Sequence, residues 1–124
     1  MPYFVAEARR LVKDPEITDL QRATLKYMLQ HCIGAQNARS IGVVVTYLNE
    51  HGCDVDIRTF QHQVLGWSRE CKVYIASGRR GIYLIGTRAD AEPMMDFYKD
   101  RIAAERHRLE RLIELTDARW PNAG

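Results

Sequence analysis

No stretch of the sequence approaches the ~18 consecutive apolar residues that a membrane-crossing helix requires. The opening Met1-Pro2-Tyr3-Phe4 carries no basic region leading into an apolar run. Neither a spanning segment nor a secretory leader is expected, and a cytoplasmic setting is. Cysteine is scarce. Cys32, Cys53 and Cys71 form an odd set without CxxC spacing, which fits reduced core thiols better than a disulfide frame or a zinc site. No GxSxG elbow, phosphate-binding glycine loop, HExxH or deaminase HxE with PCxxC is present. The expectation is therefore of no enzyme and of no bound metal or cofactor. A large charge excess of one sign is also lacking, with 18 Lys and Arg against 16 Asp and Glu. The distribution of charge is then more informative than its total.

What is present is ordinary globular composition, 46% hydrophobic and 27% charged, over 124 residues. That is enough for one main core and too little for two. From Tyr3 to Lys13, Phe4, Ala8, Leu11 and Val12 form a helical stripe opposite Arg9 and Arg10, until Asp14-Pro15 interrupts it. A second helix is predicted from Thr18, with Leu20, Ala23, Leu25, Tyr27, Met28 and Cys32 apolar, stopping at Gly34. Gln36 to Arg39 reads as a polar link. Ser40 is placed to cap a helix in which Ile41, Val44, Val45 and Leu48 follow at i, i+3, i+4 and i+7. The β-branched residues leave a strand through Ile41 to Tyr47 as the competing reading.

Gly52 suits the next turn, and Asp54 or Asp56 can cap a helix from Ile57 to Leu65 that Gly66 ends. Its predicted buried line is Ile57, Phe60 and Val64. Arg58, Thr59 and His62 point away, flanked by Gln61 and Gln63. The runs Val73 to Ala76 and Ile82 to Ile85 flank Ser77-Gly78-Arg79-Arg80-Gly81 and predict a β-hairpin with two arginines at its tip. Thr87-Arg88-Ala89-Asp90 fits a capping box opening a last, long helix to about Leu115, with Pro93 near its first turns. Along it Met95, Tyr98, Ile102, Leu109 and Leu112 alternate at three and four residues, interrupted by Glu105. Either this stripe packs on its own domain, or Tyr98, Ile102, Leu109 and Leu112 pair with a second copy; the helix's length favours a homodimer.

Helix, helix, turn, helix and hairpin, in order from about Thr18 to Ile85, resemble the winged helix-turn-helix domain of bacterial and phage regulators. The resemblance rests on architecture, with Ile57-Arg58-Thr59-Phe60-Gln61 at the start of the recognition helix and Ser77 to Gly81 at the wing tip. It implies an α+β, mainly α fold. Residues 1–16 are expected to form an N-terminal helix, 17–86 the winged helix-turn-helix core with a two-stranded wing (about 73–85), and 87–119 the long C-terminal helix. It also implies sequence-specific binding of double-stranded DNA and a role in transcription regulation. Arg58, Thr59, Gln61, His62 and Gln63 would lie at base edges or nearby phosphates. Arg79 and Arg80 would supply charge to the backbone, and Arg69 and Lys72 belong to the same basic stretch. Between residues 57 and 88, six basic residues face one acid, Glu70. The competing interpretation is a protein-interaction module in a replication, restriction or phage-defence assembly, with Trp67, Tyr74 and Tyr83 as anchors.

Overall fold

Four hydroxyl or carboxylate side chains set where the helices begin. The computed structural model describes residues 3–71 and 73–120. Helix α1 (Tyr3–Leu11) leads to α2 (Asp19–His31). At the start of α2 the Thr18 hydroxyl accepts from the Gln21 amide at 3.1 Å, and the Gln21 side chain accepts from the Thr18 amide at 2.9 Å. Arg22 reaches back from α2 to the carbonyls of Val12 and Asp14, at 3.0 and 2.6 Å, and satisfies the end of α1. A short 3-10 turn (Ala35–Asn37) precedes α3 (Ile41–Glu50), where Ser40 is the N-cap as expected. The β-branched residues are thus helical, because Val44, Val45 and Leu48 bury one face of α3. After Gly52, with φ +99°, Asn49 pins the turn through two 2.9 Å hydrogen bonds to the backbone of Val55.

Asp56 caps the next helix by accepting from the Thr59 amide at 2.7 Å. This helix departs from expectation in length and in phase. Helix α4 (Ile57–Phe60) runs without a break into a π-helical stretch (Gln61–Gly66) and a final turn α5 (Trp67–Glu70). It does not end near residue 65, because Gly66 keeps helical angles, φ −60° and ψ −46°. Four-residue steps on an α-helix drift by about 40°, but π winding takes about one more residue per hydrogen-bonded turn and cancels that drift. Phe60, Val64 and Ser68 are consequently all fully buried. Ile57, predicted to lie in that line, is instead 47% exposed.

Ser68 links the helix to the hairpin. Its hydroxyl donates to the Leu65 carbonyl at 2.9 Å and accepts from the Ile75 amide at 3.3 Å. Strands β1 (Ile75–Gly78) and β2 (Gly81–Leu84) pair antiparallel, Ile75 opposite Leu84 and Gly78 opposite Gly81. They are shorter than the 73–85 span expected. The second edge of β2 is also occupied, by the segment joining α2 to α3. Arg39 and Ile82 exchange both backbone hydrogen bonds at 3.1 and 2.8 Å, while Leu84 donates to Cys32 at 2.7 Å and accepts from Gly34 at 2.9 Å. Residues 32–39 are therefore strand-like at two points and not merely a polar link.

The chain divides into two compact units, Met1–Glu92 and Pro93–Gly124. In the first, Val5, Ala8 and Leu11 of α1 join the core built on Leu25, Met28, Leu48, Phe60 and Ile82, so α1 belongs to that core. Helix α6 (Arg88–Arg119) begins in the first unit and supplies nearly all of the second. The predicted capping box opens it, with Asp90 donating its amide to the Thr87 hydroxyl at 3.3 Å and accepting from the Thr87 amide at 3.0 Å. The same carboxylate accepts from Ala35 at 3.0 Å and Gly86 at 3.1 Å. The fold is thus mainly helical, with one two-stranded antiparallel sheet and a long C-terminal helix. Among the described residues, no helix is long and apolar enough to cross a membrane.

Gly81 has φ +124°, and a Cβ there would overlap the carbonyl of Arg39. Gly81→Ala should therefore destabilise the chain by about 2–5 kcal/mol, combining backbone strain with overpacking; a urea unfolding midpoint equal to wild type would contradict the pairing. Burial acts to raise the pKa of Asp90, but its hydrogen bonds with Ala35, Gly86 and Thr87 outweigh it and hold the carboxyl below its usual value. A depressed folded-state pKa stabilises in full above the unfolded value of about 3.9 and is lost as pH falls through the folded value. Asp90→Asn should lower the thermal midpoint at neutral pH, with the deficit shrinking on acidification below pH ~4.

Candidate nucleic-acid interface

With Phe60 and Val64 anchoring its back, the helix spanning residues 57–70 turns a polar front outward. Ile57, Arg58, Gln61, His62, Gly66 and Arg69 line one shallow depression on this front. Arg58 and His62 stand one turn apart on this side, as do Ile57 and Gln61, and Gly66 and Arg69 continue the same front. Gly66 carries no side chain, leaving the floor open between His62 and Arg69. Of the residues singled out from sequence, Arg58, Gln61, His62 and Arg69 are brought together here and are exposed. Thr59 is half-buried and lies outside the depression, its amide given to Asp56. Gln63 is exposed but is not part of that lining. Lys72 lies outside the described residues.

Chemically this front offers guanidinium and amide donors, an imidazole, and one apolar contact at Ile57. Two acids precede it. Asp56 is committed to the cap, and its carboxyl is held below the ordinary value first by the Thr59 amide. Asp54 is exposed.

Arg79 and Arg80 occupy the two-residue turn between β1 and β2, both exposed. Neither takes a positive φ, which falls to Gly81 instead. Two side chains that sequence reasoning passed over lie close to these elements. Arg39 is brought alongside the hairpin by its backbone pairing with Ile82. Its guanidinium donates to the Tyr27 hydroxyl at 2.8 Å and sits 5.7 Å from that ring's centre, a geometry suited to cation–π attraction. No local pattern marks Arg39, because the contact depends on a residue 43 positions away pairing with it.

The other is Gln21. Besides closing the cap of α2, its amide donates to the carbonyl of Gln63 at 3.0 Å, inside the π stretch. Only the first half of that role was readable, as Thr-x-x-Gln ahead of an apolar run. Of the suggested aromatic anchors, Tyr83 is buried and donates its hydroxyl to the Asp90 carbonyl at 2.9 Å, and Trp67 is half-buried against the core. Tyr74 is half-buried.

Compared with protein-family models, curated proteins and solved structures, the chain matches none.

Gln21→Leu removes the donor to Gln63 and half of the α2 cap together. It should lower unfolding free energy by about 1–3 kcal/mol, and amide exchange across residues 61–66 should accelerate more than across α3. Uniform protection in both helices would show that the π stretch does not need this bond.

Proposed function

We propose that this chain binds double-stranded DNA as a transcription regulator of winged helix-turn-helix type. Residues 57–70 act as the recognition helix, and the hairpin of β1 and β2 acts as a basic wing. The observation that carries the reading is the polarity of one helix. Phe60, Val64 and Ser68 are fully buried, while Arg58, Gln61, His62 and Arg69 stand exposed on its front. In a major groove, arginine pairs bidentately with guanine O6 and N7, and glutamine with adenine N6 and N7. Arg58 and Gln61 take these roles, with His62 beside them and Arg69 toward phosphate.

The hairpin turn contributes two exposed cations where affinity without sequence preference is needed, since phosphate contacts position and base contacts specify. The charge distribution agrees, because the basic excess is confined to residues 57–88 in a chain whose totals nearly balance. A protein-recognition role for the same surface has less support. Of its expected aromatic anchors, Tyr83 is buried, and Trp67 and Tyr74 are half-buried, whereas interface hot spots are formed by aromatic residues free to fill a partner's pockets.

The test is selection of a preferred duplex from a random pool, followed by anisotropy titration over a range of salt. Arg58→Ala should cost about 1–3 kcal/mol on the selected site and relax preference at one base pair. The double variant Arg79→Ala/Arg80→Ala should weaken all duplexes alike and reduce the magnitude of the salt slope by about 2. Absence of salt-dependent binding to any duplex overturns the reading.

A further inference from the structure

Beyond Tyr98, α6 is exposed at every described position, and its apolar residues are among the most exposed in the chain: Ile102 and Leu112 at 61%, Leu109 at 57%. Over residues 102–119 the helix extends about 27 Å. Its heptad places Ile102, Leu109 and Thr116 in one column, with Glu105, Leu112 and Arg119 three residues after each. The flanks of this seam are basic at Arg101, Arg106 and Arg108, and the acids Asp100, Glu110, Glu114 and Asp117 fall outside it.

We infer that the seam is covered by the same helix of a second copy, running antiparallel with Leu109 against Leu112 of that copy. Charge selects the direction. A parallel pair sets Arg101 beside Arg106 on the flank, and brings Glu105, which Arg108 of its own helix holds at 2.6 Å, against its counterpart in the seam; like charges in those positions disfavour association. In the antiparallel register, two leucine layers meet at the two-fold axis. Each Glu105 then faces Thr116, whose hydroxyl donates to the carboxylate, with Arg119 one layer further on. The flanking cations no longer oppose each other. Arg106 lies along Ile113 and Arg108 along Leu115, where arginine stems cover apolar side chains while the Arg106 guanidinium stays in water and that of Arg108 keeps its bond to Glu105. Ile113 and Leu115, 50% and 52% exposed in the single chain, are covered in the same step. Tyr98, half-buried in the single chain, falls beyond the end of this overlap. The inference is independent of DNA binding, since every residue it uses lies on α6.

Sedimentation equilibrium of the full chain at micromolar to submillimolar concentration should show a dimer. Leu109→Asp/Leu112→Asp should weaken it by about 100-fold or more, with unchanged circular dichroism, because both side chains are exposed in the single chain. For direction, Asp100→Cys is spin-labelled in a chain whose three native cysteines are alanine. Antiparallel packing separates the two labels by more than about 30 Å along the axis, whereas parallel packing leaves about 20 Å or less. A dimer with the long distance supports the inference. A short distance, a monomer at all concentrations, or a dimer unaffected by the double aspartate variant overturns it.

Discussion

The pairing of residues 32–39 with the outer edge of β2 is the constraint on which the first unit of this molecule depends. An isolated two-stranded hairpin is marginal in water. Here its second strand is hydrogen-bonded on both sides, to β1 and to the segment that joins α2 to α3. Backbone groups that would otherwise compete for water at a sheet edge are satisfied, and the hairpin is fixed to the two helices whose ends that segment connects. The approach is close enough that residue 81 must be glycine. Asp90 reinforces the same junction by bridging the amides of Ala35, Gly86 and Thr87, so the first turn of α6 is tied to the turn after α2.

Within that frame the helix of residues 57–70 is held from behind at four-residue steps. An α-helix with this spacing would turn Ser68 away from Phe60 by about 80°. The π stretch keeps Phe60, Val64 and Ser68 in register, and Gln21 donates to one of the carbonyls within it. Arg58, Gln61, His62 and Arg69 line one depression on the helix's exposed side.

Features governed by neighbours within three or four residues were legible from the amino-acid order. Ser40 and the Thr87 to Asp90 box open helices as expected, and of the two candidates Asp54 and Asp56 it is Asp56 that caps the third, because a cap is a bond between a side chain and an amide two or three positions on. The hairpin was legible for the same reason, its glycine-bounded turn separating two β-rich runs. Gly66 misled because its usual meaning as a terminator reflects intrinsic propensity of about 1 kcal/mol, which burial of Leu65 and Ser68 on either side outweighs. Ile57 misled because it stands in the first turn about 60° around the helix from Phe60, and the buried face is centred on Phe60, Val64 and Ser68.

By itself the order of residues determined where most helices start and that a basic hairpin follows a polar-faced helix, since each follows from short-range periodicity and capping. Only the tertiary structure decided that the helix after Asp56 continues to Glu70, that Arg39 stands beside the hairpin, and that Gln21 serves the π stretch. Those outcomes arise from groups about forty residues apart meeting in one core, where burial and the satisfaction of backbone hydrogen bonds override what each segment would do alone.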